Sequence, residues 1–139
     1  MAIGGSGTGN AQDASLQAII ASLGGAAATS TWVPRGGVTL NSLVAKASPG
    51  TLVEVHITNE NAAATANRWL MIFDAIAVPA NGTVPLMMPY LIAPQSFIAI
   101  FNLGLVCLTG ITLAISTTNT TLTISADAPG TASITARIT

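Results

Sequence analysis

Few side chains in this sequence are of a type that supports acid–base, nucleophilic or metal chemistry. Glu54 and His56 are separated by one residue in an alternating segment, so both lie on the same face of a predicted strand. A carboxylate beside an imidazole can act as a general acid–base pair. However, His56 is the only histidine, and no nucleophile or second acid lies nearby in the sequence. We therefore interpret the two residues as an exposed or interfacial pair, not a catalytic one.

The other candidates for chemistry are one cysteine and one glycine-rich stretch. Cys107 has apolar neighbours, which is typical of an unreactive core thiol, and a single cysteine excludes an intrachain disulfide. Gly4–Gly9 follows no predicted strand and precedes no lysine, so we do not expect it to bind phosphate. We expect no catalytic residue, no cofactor and no metal ion, and hence a protein that is not an enzyme.

The composition favours a subunit that works inside an assembly. Only 6% of the residues are charged, against roughly 25% in ordinary soluble domains, and the net charge is −1. From Ala75 to Ala126 there is no Asp, Glu, Lys or Arg at all. Such a surface gives little electrostatic repulsion between copies. The four basic residues are scattered along the chain, so we expect no nucleic-acid partner.

A membrane span and an export signal are both considered and not expected. Phe97–Ile115 is uncharged, mostly apolar and long enough to cross a bilayer as a helix. Asn102, Gly104 and Gly110 interrupt it, however, and its β-branched residues suit short strands better. The first residues lack a basic residue before an apolar stretch, so we expect no signal peptide.

Short segments rich in Val, Ile and Thr, bounded by turn residues, predict an all-β fold. We expect an antiparallel β-sandwich, jelly-roll-like, over residues 31–139. Thr31–Gly37 is interpreted as a connection, the segment MPYLIAPQ as an edge or a crossing loop, and residues 105–125 as a β-meander. The predicted strands are Val38–Val44, Thr51–Thr58, Arg68–Ile76, Thr83–Met88, Ser96–Asn102, Leu105–Leu108, Ile111–Ser116, Thr121–Ser125 and Thr131–Ile138.

Alternation within two of these strands predicts a core face for each. In the first, Leu52, Glu54, His56 and Thr58 are expected on the outer face. In the second, Leu70, Ile72 and Asp74 are expected opposite the core face. The candidate core residues on the two core faces are Val53, Val55, Ile57, Trp69, Met71 and Phe73.

Residues 1–30 are predicted to form an arm that carries one short amphipathic helix and a Gly/Ala linker. Asp13–Leu23 has apolar residues at helical spacing, and Gly24–Ser30 forms the linker. The arm is expected either to pack on its own domain or to dock on a neighbouring subunit. Trp32 would anchor the junction or serve as an exposed binding aromatic. The candidate interface residues are Ile3, Leu16, Ile19, Ile20, Leu23 and Trp32.

Several motifs between Thr51 and Ser125 resemble a β-sandwich domain that recurs among virion proteins of tailed bacteriophages. In that family a strand ending in Val-x-Asn precedes an aromatic-Leu-x-x-Phe-Asp segment, a Pro-Ala-x-Gly-Thr-x-Pro turn and a Gly-Ile-x-x-Ala-x-Ser-Thr-Thr strand. The family's usual Pro-Ala-Gly turn stands here as Ala93-Pro94-Gln95. The N-terminal helix and Thr131–Thr139 lie outside the resemblance. The matching segments are Ile57-Thr58-Asn59, Trp69–Asp74, Pro79–Pro85, Gly110–Thr118 and Thr120–Ile124.

The resemblance implies a structural protein of the phage particle and leaves two functions open. The favoured one is a capsid decoration or cement protein on the capsid exterior, made in the host cytoplasm. It would bind the major capsid protein. The protein itself would be a homo-oligomer, preferably a trimer. The alternative is a tail, baseplate or fibre component that contacts a host receptor or glycan. Sugar sites usually combine exposed aromatic residues with polar ones, and aromatic residues are scarce in this sequence.

Overall fold

The computed structural model describes residues 30–33, 41–61, 67–125 and 132–139, which form nine β-strands. No helix occurs among these described residues. The prediction of an all-β fold is therefore confirmed for this part of the chain. The strands are β1 (Thr31–Val33), β2 (Ser42–Lys46), β3 (Gly50–Asn59), β4 (Arg68–Asp74), β5 (Tyr90–Ile92), β6 (Ser96–Ile100), β7 (Leu105–Cys107), β8 (Ile111–Ser116) and β9 (Ala132–Ile138).

The strands form two sheets in which every pairing is antiparallel. The five-stranded sheet has the order β1-β9-β3-β6, and β7 also pairs with β3. The four-stranded sheet has the order β2-β8-β4-β5. Strand β3 is long enough to pair with β9 along one edge and with β7 and then β6 along the other. Because β7 and β8 belong to different sheets, the meander predicted for residues 105–125 is wrong.

Both sheets contribute to one hydrophobic core. On β9 the alternation is regular: Ala132, Ile134 and Ala136 are buried and the residues between them are half-buried. Burial of apolar surface of this kind is the main stabilising contribution to such a fold. The buried members of the shared core are Leu43, Ala45, Leu52, Val55, Ile57, Leu70, Ile72, Ile92, Cys107, Ile111, Leu113, Ile115, Ala132, Ile134, Ala136 and Ile138.

A bulge in β3 changes which residues face the core. The register between β3 and β9 shifts between Leu52 and Glu54, so the side-chain alternation also shifts there. Leu52 is fully buried and Val53 is half-buried, the reverse of the predicted arrangement. Beyond the bulge Val55 and Ile57 are fully buried. The expectation that Val53 is core and Leu52 lies outside is therefore wrong.

Strand β4 is buried on both faces. Leu70 and Ile72, expected on the face opposite the core, belong to the shared core. Met71 and Phe73 face the other way and form a second cluster with Ala114 and Leu122. Trp69, at the start of the strand, is only half-buried and belongs to neither set of buried residues. Its predicted role as core is wrong, because its cross-strand neighbour Leu91 on the edge strand β5 is itself exposed.

Other strand predictions also differ from the structure. Residues 75–89, all described, contain no strand, whereas Tyr90–Ile92 is the edge strand of the four-stranded sheet. Thr121–Ser125 makes only an isolated bridge to Ser116. Thr31–Val33, expected to be a connection, pairs with β9. Strand β2 begins at Ser42 and ends at Lys46, later than predicted.

A carboxylate fixes the connection between β7 and β8. Asp74, the last residue of β4, accepts backbone hydrogen bonds from Leu108, Thr109 and Gly110 at 3.0, 2.7 and 3.0 Å. These hydrogen bonds, with that from Gly110 the largest contribution, lower the pKa of Asp74 below its usual value. A Cβ atom at Gly110 would lie 2.8 Å from the carbonyl oxygen of Ala75. The connection therefore needs both the carboxylate and the glycine.

The predicted arm and five of its interface residues lie outside the described residues. These are Ile3, Leu16, Ile19, Ile20 and Leu23, and the helix over Asp13–Leu23 lies there too. Within the described ranges, the structure has no helix with the length and hydropathy needed to cross a membrane.

Candidate functional site

The outer face of the five-stranded sheet carries a histidine with aromatic and charged side chains around it. The bulge in β3 places Glu54, His56 and Thr58 on this face, away from the shared core. His56 lies opposite Thr135 of β9 and opposite Ala99 of β6. The imidazole therefore occupies the middle of the face, with a hydroxyl residue on one side and a small residue on the other.

Three aromatic side chains surround His56. The ring centroid of Trp32 is 4.8 Å from that of His56, and the centroids of Phe97 and Phe101 are 5.6 and 5.7 Å away in edge-on geometry. The chain has only two Trp, one Tyr and three Phe, so half of its aromatic residues meet at its single histidine. We call these four residues the aromatic cluster. Such contacts stabilise one another beyond simple burial.

The charges beside the aromatic cluster are paired with one another. His56 Nε2 donates a hydrogen bond to Glu54 Oε1 at 2.7 Å, and an Arg137 nitrogen lies 2.9 Å from Glu54 Oε2. The Arg137 guanidinium also lies 6.0 Å from the centre of the Trp32 ring, at the outer limit of a cation–π contact. Glu54 is buried by these neighbours, and its charge is balanced by Arg137. The site is polar but close to neutral.

Phe97 and Phe101 form the walls of a slot. They lie four residues apart along β6 and its extension, which separates their Cα atoms by roughly 13 Å in extended chain. Between them on the same face lies Ala99, beside His56. The exposed fractions are 59% for Phe97 and 62% for Phe101, whereas the His56 side chain is 32% exposed. We define the slot as these two phenylalanine walls with Ala99 and His56 as its floor.

A polar pocket adjoins the slot at Phe97. It is an open depression of about 330 Å³ lined by Thr58, Asn59, Glu60, Gln95, Ser96 and Phe97. The Asn59 amide is used structurally, because its Nδ2 donates to the carbonyls of Ile92 and Ala93 at 3.2 and 3.1 Å. Gln95 has a φ of 50°, a left-handed conformation that non-glycine residues seldom adopt. Phe97 thus separates the apolar slot from the polar pocket.

The exposed aromatic rings and hydrogen-bonding side chains of this arrangement are suited to binding. Glu54 and His56 are hydrogen-bonded to each other, but the aromatic cluster contains no serine or cysteine nucleophile. The only cysteine, Cys107, is fully buried in the core, where burial, together with the negative charge of Asp74, raises the pKa of its thiol. Among the described residues, no three His, Cys, Asp or Glu side chains lie close enough to bind a metal ion.

Sequence reasoning identified part of this site. Trp32, expected as an anchor or a binding aromatic, lies half-buried in the aromatic cluster. As expected, Glu54 and His56 are paired on the outer face, but Glu54 is buried and only His56 is partly exposed. Phe97, Phe101 and Arg137 were missed. The spacing of Phe97, Ala99 and Phe101 places them on one strand face, but nothing in the sequence shows that β6 lies beside β3.

Comparison of the chain with protein-family models, with curated protein sequences and with solved structures finds no match.

Proposed function

We propose that the chain is a structural subunit of a phage particle, a capsid decoration or cement protein that binds the outer shell and stabilises contacts between capsid subunits. One observation carries the proposal. Among the described residues, all but one of the exposed large hydrophobic side chains lie between Ile76 and Leu108, inside the stretch that has no charged residue. They are Ile76, Val78, Val84, Leu86, Met88, Leu91, Phe97, Phe101, Val106 and Leu108, and the exception is Val44.

Exposed apolar side chains without nearby charge favour contact with another protein. Burial of these side chains in an interface removes apolar surface from water, and no ionised group of the same segment has to be desolvated. Large apolar patches on soluble proteins commonly mark interaction sites. Met88 and Leu108 are the most exposed members, at 81% and 75%. A subunit held in place by many neighbours would bury them.

The proposal includes the finer description of the fold. Two antiparallel sheets that share one core have the layered arrangement of a β-sandwich. The chain passes repeatedly from one sheet to the other, which supports a jelly-roll-like connectivity. The motif resemblance over Thr51–Ser125 supports assignment to the particle. On this proposal the partners are the major capsid protein and further copies of the chain, preferably in a trimer, on the capsid exterior.

The experiment is to count copies of the chain per purified particle by quantitative mass spectrometry, with the major capsid protein as the internal reference. A cement protein is expected at a copy number close to that of the capsid protein, or at least in the hundreds. A few copies to a few dozen would move the chain to the tail or a vertex. Absence from purified particles would refute the virion assignment altogether.

The second candidate is a tail, baseplate or fibre component that contacts a host receptor or glycan. The aromatic cluster favours it, because exposed aromatic rings beside hydrogen-bonding side chains are typical of sites that bind small polar ligands. The same copy-number measurement separates the two candidates, since they predict different stoichiometries.

A further inference from the structure

We propose that the slot and the adjoining polar pocket together bind a neutral saccharide, with one sugar ring between the walls of the slot and a second over the pocket. The inference concerns a ligand site on the outer face of the five-stranded sheet. It deepens the second candidate function, contact with a glycan, and does not depend on the cement role; on this inference Phe97 and Phe101 bind a sugar and are not among the side chains that a neighbouring protein would bury.

The first argument is the shape of the slot. Phe97 and Phe101 are both more than half exposed, and they lie two residues before and two residues after Ala99, the strand partner of His56, so they stand on either side of the less exposed imidazole. Ala99 keeps that floor low, since any larger side chain there would fill the space between the rings. The C–H face of a pyranose ring is flat and apolar and matches an aromatic wall. The rings therefore offer stacking surfaces without a conformational change.

The second argument is the set of polar groups that have no partner. Within the described part of the chain, Thr135 and the Nδ1 atom of His56 make no hydrogen bond, and neither do the side chains of Glu60 and Gln95 in the pocket. An apolar protein surface placed over them would bury these groups unsatisfied, which is unfavourable. A saccharide carries hydroxyl groups that both donate and accept, so it can satisfy them. This difference favours a sugar over a protein partner.

The third argument is the backbone of Gln95. Its φ of 50° is a conformation in which glycine would be less strained. Gln95 nevertheless places an amide side chain at the pocket. A polar side chain at a strained backbone position beside a surface pocket supports a binding role for that pocket.

The fourth argument sets the charge of the ligand. Arg137 is paired with Glu54, and Lys46, on β2 of the four-stranded sheet, donates to the carbonyl of Thr139. No unpaired cation therefore faces the slot among the described residues. The Glu60 carboxylate at the pocket would repel an acidic sugar. A neutral saccharide satisfies the polar groups without this repulsion.

The test is a titration of the full ¹⁵N-labelled chain, followed by NMR, with cellobiose, maltose and N,N′-diacetylchitobiose as probes and N-acetylneuraminic acid as an acidic comparator. At least one neutral disaccharide is expected to shift the indole signal of Trp32 and the amide signals of Phe97, Ala99 and Phe101. The indole signal of Trp69, in the other sheet, is the internal reference and should not move. The acidic sugar should produce smaller shifts.

Three variants separate binding from folding. Phe97→Ala removes the wall shared by the slot and the pocket, so affinity should fall about tenfold. Gln95→Gly relieves the backbone, so the variant should be at least as stable as the parent while it binds the disaccharide more weakly. Val106→Ala removes an exposed apolar side chain of the same sheet, outside the slot, and should leave affinity unchanged. Retention of the dispersed Trp69 signal shows that each variant is folded.

Three results would overturn the proposal. The first is the absence of shifts with every neutral probe at roughly 50 mM, a concentration at which even weak complexes are populated. The second is shifts that persist unchanged in Phe97→Ala. The third is self-association of the chain, detected by sedimentation and abolished by Phe97→Ala, since this would assign the slot to a second copy. The copy number per particle bears on none of these results, so the two proposals can fail separately.

Discussion

The outer faces of the two sheets both carry large apolar or aromatic side chains, but these are buried on one sheet and exposed on the other. On the four-stranded sheet, Met71 and Phe73 of β4 point away from the shared core, and Phe73 is only 3% exposed. On the five-stranded sheet, the aromatic cluster points away from the same core, and its two phenylalanines are more than half exposed. The difference lies in what covers each face.

A segment of the chain itself covers the four-stranded sheet. Leu122 is fully buried against Met71 and Phe73, and Ile124 packs beside it. Hydrogen bonds hold this segment in place: Gly82 N donates to Leu122 O at 2.7 Å, and Leu122 N donates to Thr83 O at 2.8 Å. No described residue covers the slot in the same way. Among the described residues, the aromatic face therefore has no counterpart of the Leu122 segment.

The strongest test of this comparison is the pair Phe73→Ala and Phe97→Ala. Loss of Phe73 should lower the free energy of unfolding by about 3–5 kcal/mol, because a large buried ring leaves a cavity. Loss of the exposed Phe97 should change it by no more than about 0.5 kcal/mol. Urea denaturation of both variants measures the difference. Equal losses of stability in the two variants would show that Phe73 and Phe97 do not differ in burial.

The covering segment can be tested at Leu122. Leu122→Ala should cost about 2–5 kcal/mol, toward the lower end because a loop can partly collapse into the space. The variant should also increase the exposure of Trp69 to solvent, measured as quenching of tryptophan emission by acrylamide. The matched control is Val106→Ala, an exposed aliphatic residue for which we expect little change. A Leu122 variant as stable as that control would contradict the proposed cover.

A smaller effect is expected at the connection held by Asp74. Its lowered pKa means that the carboxylate stabilises the folded state only while it is ionised. This contribution should be complete above the ordinary pKa of 3.8 and disappear as the pH falls through the lower folded-state value. Asp74→Asn should therefore be less stable than the parent at neutral pH, and the difference should shrink in acid. Thermal melts as a function of pH measure it, and a constant difference would refute the assignment.

The smallest signal is expected from Cys107. Because the thiol is buried and its pKa is raised, it should not react measurably with a thiol reagent such as Ellman's reagent in the native protein. The same thiol should react at once in denaturant. Rapid reaction under native conditions would show that the core under β7 opens far more readily than the core under β4.

The sequence predicted the all-β class and several strands because their alternation is local. Residues 55–57 of β3 and 111–116 of β8 lie where β-branched and apolar residues are dense. It failed at Leu52 and Val53, because a bulge depends on the register of the partner strand β9 and leaves no local pattern. It also failed for Trp69, whose burial depends on the short edge strand β5 and not on its own strand.

The candidate site was predictable only in part for the same reason. Glu54 and His56 are neighbours in the sequence, so their pairing follows from alternation. The remaining members come from β1, β6 and β9, strands that are far apart in the chain and meet only through the sheet order. Residues that are brought together by topology cannot be inferred from spacing.

The short, proline-flanked edge strand β5 has a further consequence. A chain with so few charges lacks the usual means of preventing sheets of neighbouring copies from joining edge to edge. Strand β5 offers only three residues, Tyr90–Ile92, and is bounded by Pro89 and Pro94, which have no backbone N–H to donate. These features disfavour extension of the sheet at this edge by a neighbouring strand. The protein can thus expose apolar side chains beside an edge whose backbone is poorly suited to pairing.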